Sequence, residues 1–161
     1  MLRINRETDY AVRVILALAH KPAGEIIPSA RIRQEMELPE SLSLQIISHL
    51  ARKGFINTYP GRNGGIQLAL PPAQINLHQI VTAFEGPVTI SACLSEEESC
   101  SLSERCPMRD RWFSLQRKLE EELAGITLDS LIRSPASQDQ HAGGSPHVGT
   151  GAGTPYQHRK S

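Results

Sequence analysis

Apolar residues recur at helical spacing along much of the chain, and this pattern predicts most of its secondary structure. Tyr10, Val14 and Leu18 lie four residues apart, which predicts a helix capped by Asn5 and running to about Ala19. The same spacing recurs in four further segments, where Pro, Ser or Asn mark helix starts and Gly marks helix ends. It predicts helices over about residues 28–36, 41–53, 77–85 and 107–124.

Two short strands are predicted directly after the helix over residues 41–53. Residues 55–59 and 66–70 read as strands, and the Pro- and Gly-rich residues 60–65 form the turn between them. A short helix, a turn and a second helix are compatible with an ordinary helical hairpin, but the β-hairpin that follows favours a winged helix-turn-helix. The second helix would then enter the major groove of DNA.

The expected DNA contacts are small polar, amide or cationic residues of the two short helices and of the wing turn. Such side chains suit base edges and phosphates, and glycines allow close approach of the backbone. The candidates are Ser29, Ser41, Ser43, Gln45, Ser48, His49, Arg52, Arg62, Asn63 and Gly64.

The last predicted helix carries an apolar seam. Its members step by 3, 4, 4 and 3 residues, as in a coiled coil: Trp112, Leu115, Leu119, Leu123 and Ile126. Little chain remains to cover this seam, which indicates a partner subunit, and packing against the first helix is the alternative. The predicted fold is therefore mainly α, a winged helix-turn-helix DNA-binding domain with a long C-terminal dimerisation helix.

The predicted organisation has four parts. Residues 1–75 form the DNA-binding domain, residues 76–106 a connecting helix and cysteine loop, and residues 107–133 the dimerisation helix. Residues 134–161 are rich in Gly, Ser, Pro, His and Gln and are expected to be a disordered tail.

Charge and hydropathy narrow the function classes. The 161-residue chain has 17 Lys and Arg against 17 Asp and Glu, so its formal net charge is zero. Residues 1–71, however, carry nine cations and six anions, and this excess of positive charge favours that part as the nucleic-acid-binding face. The longest apolar run, Val14–Ala19, is too short to span a membrane, and we expect a cytoplasmic protein with reduced cysteines. No nucleophile–base pairing, phosphate loop or carboxylate pair indicates an enzyme or a small-molecule substrate.

All three cysteines, Cys93, Cys100 and Cys106, lie in one segment with the spacing C-x6-C-x5-C. Three thiols in so short a segment can converge on zinc, copper(I) or an iron–sulfur cluster. Zinc sites usually contain a closer pair, whereas the wider gaps and Pro107 after Cys106 favour an iron–sulfur cluster with one further ligand. The alternatives are a cluster-free thiol–disulfide redox switch, a small electron-transfer protein, and three inert thiols.

With these features, the chain resembles the Rrf2 family of bacterial transcription regulators, in particular its cluster-binding, IscR- and NsrR-like members. The resemblance covers residue 1 to about residue 132. The motifs that carry it are Thr8-Asp9-Tyr10-Ala11-Val12-Arg13, Gly61-Arg62-Asn63-Gly64-Gly65, Val81-x-x-x-Glu85-Gly86 and Ile126-Thr127-Leu128-x-x-Leu131.

The resemblance implies a homodimer built on the long helix, with a cluster near the dimer interface that controls binding of a double-stranded operator, typically in repression. IscR-like members have a His three residues after the last cysteine, but this chain has Arg109 there. NsrR-like members use the Asp of the first motif from the opposite subunit, which here is Asp9. The resemblance therefore favours a [4Fe–4S] cluster held by three cysteines and the partner's Asp9, with a [2Fe–2S] cluster as the alternative. An Arg-paired or solvated carboxylate is the competing interpretation of Asp9.

The second short helix departs from the family pattern. Many members have Tyr-Leu-Glu-Gln where this chain has Leu42-Ser43-Leu44-Gln45, so base specificity cannot be transferred. The expected signal is nitric oxide, redox state, or iron or cluster supply.

Overall fold

The computed structural model describes residues 4–94 and 105–133. The helices and strands in these residues are α1 Arg6–Ala19, α2 Ser29–Glu35, α3 Glu40–Arg52, β1 Ile56–Tyr59, β2 Gly65–Leu68, α4 Leu77–Glu85, α5 Pro107–Gly125 and α6 Leu128–Arg133. Two single-turn 3-10 helices occur at Pro72–Gln74 and Ala92–Leu94. The predicted bounds of α1 to α4 and of the hairpin are confirmed to within two residues.

The first helix is the centre of the hydrophobic core. The Asn5 side chain accepts a hydrogen bond from the backbone N–H of Thr8, which caps α1 as predicted. The buried face of α1 includes Val14 and Ile15, both 0% exposed, and packs against α2, α3, α4 and α6. The first helix therefore contacts both of the short helices that follow it and two of the later helices.

The helix-turn-helix is formed by α2 and α3. The connecting turn includes Glu37, a non-glycine residue with a positive φ of 50°, and Leu38, which is buried. On α3, Ile46 and Leu50 are buried against the core. Their spacing of four residues places them on one side of the helix and leaves the opposite side exposed.

The wing is the antiparallel pair of β1 and β2, with Ile56 opposite Leu68 and Tyr59 opposite Gly65. Its second strand is also joined to the segment before α2, because Ile27 and Ile66 exchange backbone hydrogen bonds of 2.9 and 2.8 Å. A Cβ atom on Gly65 would lie 2.2 Å from the carbonyl oxygen of Ile27, so this pairing requires glycine. The wing is thereby fixed to the start of the helix-turn-helix.

The fourth helix begins and ends at strong local signals. Asn76 and Gln79 form a reciprocal capping box at its start. Gly86, with φ of 83°, ends α4 and donates its N–H to the Thr82 carbonyl. The chain then runs towards Cys93.

The part assigned to dimerisation, residues 107–133, contains two helices, and the first of them ends at Gly125, close to the predicted end at about residue 124. The chain leaves α5 after Gly125, and Thr127 pairs with Asn76 in an isolated β-bridge. The N–H of Leu128 donates to the Ile75 carbonyl at 2.9 Å, and the Leu128 side chain is 0% exposed. This long-range pairing, which the local pattern does not reveal, returns α6 to the core around α1.

No helix within residues 4–94 and 105–133 is long and apolar enough to cross a membrane.

Candidate nucleic-acid interface and cysteine segment

The outer face of α3 presents four of the predicted DNA contacts. Ser41, Gln45, Ser48 and Arg52 are all exposed, on the side of α3 away from the buried residues Ile46 and Leu50. The helix-turn-helix has one further candidate DNA contact, Ser29. It is the first residue of α2 and is half-buried. The face therefore combines hydroxyl, amide and guanidinium groups that can contact bases or phosphates.

Two other candidates on α3 lie elsewhere. Ser43 is 3% exposed and its hydroxyl donates to the Glu40 carbonyl at 2.9 Å, so its predicted position on the exposed face is wrong. His49 is half-buried, and its ring stacks on Phe84 of α4 with centroids 4.2 Å apart. The sequence pattern did not reveal this contact, because the two residues meet only through tertiary packing.

The tip of the wing presents Arg62 and Asn63, which are both exposed as predicted. The N–H of Gly64 donates to the Gly61 carbonyl at 3.0 Å and closes the turn. A Cβ atom on Gly64 would lie 2.1 Å from the Tyr59 carbonyl oxygen, so the backbone requires glycine at this position whether or not it contacts DNA.

The cations of α2 and the preceding loop are paired with carboxylates. Lys21 and Arg31 contact Glu35 at 3.0 and 2.8 Å, and Arg33 contacts Glu40 at 2.6 Å. The hydrogen bond from Lys21, assisted by that from Arg31, holds the pKa of the Glu35 carboxyl below its usual value. These ion pairs join the end of α1 to α2 and α2 to α3.

Two of the three predicted cysteine ligands lie within the described residues. Cys93 is half-buried in the 3-10 helix Ala92–Leu94, with its sulfur 3.2 Å from the Ser91 hydroxyl oxygen. Cys106 is half-buried and immediately precedes α5. Both are free thiols, whereas Cys100 lies outside the described residues. Across residues 4–94 and 105–133, no three His, Cys, Asp or Glu side chains form a potential metal site.

The segment before Cys93 is attached to two helices. At its start, Glu85 accepts hydrogen bonds from Asn5 and Thr8 at the beginning of α1. Further along, the N–H of Ile90 donates to Gln116 of α5 at 3.4 Å. Glu85 and Thr8 were noted in the sequence only as motif positions, and the structure shows that the two motifs are in contact.

Asp9, the candidate fourth ligand, is half-exposed in the isolated chain. Its carboxylate lies 2.8 Å from the Arg13 guanidinium, one helical turn later. The Arg13 guanidinium also lies over the Tyr10 ring, 5.6 Å from its centroid. Three residues of the first motif, Asp9, Tyr10 and Arg13, thus form a surface cluster on α1.

The predicted seam residues differ in exposure. Trp112 and Leu115 on α5 are 36% and 50% exposed, while Leu119, Leu123 and Ile126 are half-buried. No residue of α5, which the structure describes in full, is buried. The helix therefore has an apolar face that the described part of the chain leaves largely uncovered.

Comparison with known proteins identifies the family. A family model described as Rrf2, iron-dependent transcriptional regulator, matches residues 4–134. The HTH-type transcriptional regulator NsrR of Bacillus licheniformis is 28% identical over 109 residues, which cover 67% of this chain and 76% of that protein.

Solved structures have the same fold. The structure of CymR, the global cysteine regulator of B. subtilis, is 26% identical with a TM-score of 0.67, and the match covers 81% of this chain and 96% of that chain. The structure of T. potens IscR is 24% identical with a TM-score of 0.65, over 89% and 94% of the two chains. Because the family model covers most of the sequence, this chain belongs to the Rrf2 family and is a winged helix-turn-helix, DNA-binding transcriptional regulator rather than an enzyme.

Proposed function

We propose that this regulator binds an operator as a homodimer and that an iron–sulfur cluster controls its affinity for DNA. The proposed ligands are Cys93, Cys100 and Cys106 of one subunit and Asp9 of the partner subunit. The favoured cluster is [4Fe–4S], with [2Fe–2S] as the alternative, and the favoured activity is repression in the cytoplasm. The iron dependence in the family description and the similarity to NsrR support this proposal.

The observation that carries the proposal is the position of α4 between the cysteine segment and both functional helices. Its last residue, Glu85, accepts hydrogen bonds from Asn5 and Thr8 at the start of α1, in the same turn as Asp9. The residue before it, Phe84, stacks on His49 of α3. A displacement of the chain just before Cys93 would therefore act on the candidate ligand and on the DNA-reading helix together.

The donor chemistry fits an iron–sulfur cluster. Cys93 and Cys106 are free of disulfides, as ligands of a cluster must be, and thiolates are the usual protein ligands of such clusters. Asp9 is about half exposed, so its carboxylate can be reached by a second subunit. When bound, the cluster would supply iron that responds to nitric oxide, redox state or cluster supply.

Arg13 gives Asp9 an alternative partner. In the isolated chain the two side chains form an ion pair of 2.8 Å, which a contact between Asp9 and the partner subunit would have to replace. The two arrangements define a two-state equilibrium of α1. A coupling free energy of roughly 1–3 kcal/mol between the two sites would change operator affinity about 5- to 150-fold.

The direct test compares operator binding by the protein purified anaerobically and by the same protein after removal of iron. We expect electrophoretic mobility shifts to give affinities that differ within this range, and equal affinities would refute control by the cluster. Mössbauer spectra of wild type and Asp9→Ala, grown with labelled iron, test the fourth ligand. Unchanged spectra in the variant would exclude Asp9.

A thiol–disulfide switch is the second candidate. It is supported by the two free, half-buried thiols in one segment and by the likeness to a cysteine regulator, CymR. Anaerobic purification separates the two candidates. A brown protein that contains iron and sulfide supports the cluster, whereas a colourless protein whose DNA affinity changes reversibly with thiol reductants supports the switch.

A further inference from the structure

Leu44 occupies an unusual position on α3. It is 72% exposed, the highest value among the large hydrophobic side chains of residues 4–94 and 105–133. It lies two residues before Ile46, which is 1% exposed. At about 100° per residue, this spacing puts Leu44 on the opposite side of the helix from the core.

The neighbours of Leu44 on this face are polar. Ser41 precedes it by three residues and Ser48 follows it by four, so both adjoin Leu44 on the helix surface. Gln45 is the next residue and is also exposed. Leu44 is thus an isolated apolar group among side chains that can form hydrogen bonds.

A single exposed leucine is common on protein surfaces and by itself indicates nothing. The location of Leu44 is more informative, because α3 is the second helix of the helix-turn-helix in a DNA-binding family. The N-terminal residues of such a helix contact base edges in the major groove, and Leu44 is the fifth residue of α3.

Leucine has no hydrogen-bond donor or acceptor, which limits what it can recognise in the major groove. Among the groups that the four base pairs present there, the apolar one is the C5-methyl group of thymine. We propose that Leu44 reads a thymine methyl group in the operator, while Ser41, Gln45 and Ser48 contact the polar edges or phosphates beside it. This inference rests on the proposed binding of DNA through α3.

The test needs a change in the DNA that removes only the methyl group. Operators would first be selected from random duplexes with the full-length protein, both as purified anaerobically and after iron removal. Each thymine would then be replaced by deoxyuridine, which keeps base pairing and lacks the methyl group. Burial of one methyl-sized group corresponds to about a fourfold change in affinity.

For wild type we expect one or more thymines at which deoxyuridine weakens binding about fourfold. Leu44→Ala should bind the two duplexes equally, and Leu44→Met, which keeps an apolar side chain, should retain part of the preference. Arg62→Ala, at the wing tip, should weaken binding to both duplexes by the same factor. Circular dichroism and thermal unfolding would show that the Leu44 variants are folded.

The outcomes separate this inference from the function on which it rests. A selected operator whose deoxyuridine substitutions leave wild-type affinity unchanged would overturn the role of Leu44 alone. The same holds if Leu44→Ala keeps the full preference for thymine, or if the variant changes subunit association instead of DNA affinity. Failure to select any sequence with either preparation would overturn both.

Discussion

The hydroxyl oxygen of Thr8 lies 2.5 Å from a carboxylate oxygen of Glu85, which joins the first turn of α1 to the last residue of α4. The same carboxylate accepts the backbone N–H of Asn5 at 2.9 Å and its side-chain amide at 3.0 Å. Thr8 is 0% exposed whereas Glu85 is exposed, so this contact lies partly buried at the edge of the core. Two motifs that are far apart in the sequence therefore form one structural unit.

We expect Thr8→Val to destabilise the protein by about 1–3 kcal/mol, because the variant lacks a partly buried hydrogen bond to a charged carboxylate at nearly constant volume. Urea unfolding of the cluster-free protein would measure this change. Thr58→Val is the matched control, since Thr58 is exposed on β1 and valine suits a strand. Equal stability of the two variants would contradict the importance of the Thr8–Glu85 contact.

Gly65→Ala should destabilise the wing, because the new Cβ atom would lie 2.2 Å from the Ile27 carbonyl oxygen. We expect a loss of about 1–3 kcal/mol in thermal or urea unfolding and weaker DNA binding. At Gly125 a Cβ atom has no neighbour within 4 Å, so Gly125→Ala should be neutral or slightly stabilising. A neutral Gly65→Ala would show that the bridge between Ile27 and Ile66 adjusts easily.

Leu115→Glu should abolish dimerisation, because it places a carboxylate in the exposed apolar seam of α5. Light scattering during size-exclusion chromatography would detect a monomer, and affinity for the operator would fall with it. Arg117→Glu introduces the same group two residues later, about 200° around the helix, and should leave the dimer intact. A dimeric Leu115→Glu variant would refute α5 as the dimer interface.

Arg62→Ala should weaken binding to all DNA sequences by a similar factor if the wing binds a phosphate. The slope of the logarithm of affinity against the logarithm of salt concentration should decrease by about one for each phosphate that the variant no longer binds. Arg117→Ala removes an equal charge from α5 and should keep the wild-type slope. An unchanged slope for Arg62→Ala would exclude binding of a phosphate by this side chain.

Glu35 predicts a pH dependence of stability. Its folded pKa is lowered by Lys21 and Arg31, so its stabilising contribution is present above its unfolded pKa and disappears as pH falls through the lowered folded value. Glu35→Gln should cost less than about 1 kcal/mol at neutral pH, as expected for exposed ion pairs. Urea unfolding at neutral and acidic pH would measure the free energy of unfolding of both proteins. The difference between Glu35→Gln and wild type should vanish in acid. The control variant Glu25→Gln, at an exposed position, should differ little from wild type at either pH.

Sequence patterns predicted the elements whose limits are set by neighbouring residues. The bounds of α4 followed from Asn76 at its start and Gly86 at its end, both of which act locally. The end of α5 at Gly125 agrees with the predicted end at about residue 124, but the return of α6 to the core was not foreseen, because it depends on pairing of Thr127 with the distant Asn76.

The site was predictable to a similar extent. The exposed positions of Gln45 and Arg62 followed from helix periodicity and turn chemistry. The burial of Ser43 and the stacking of His49 on Phe84 depend on which elements pack together, and the sequence pattern of α3 does not specify this.

The return of α6 to the core also determines when a newly made chain can fold. Leu128 is fully buried in the core around α1, so the DNA-binding domain is incomplete until α6 has left the ribosome. By then the whole of α5 has already been synthesised, because α6 follows it in the chain. During translation, the surface proposed for subunit association is therefore made before the DNA-binding domain can finish folding.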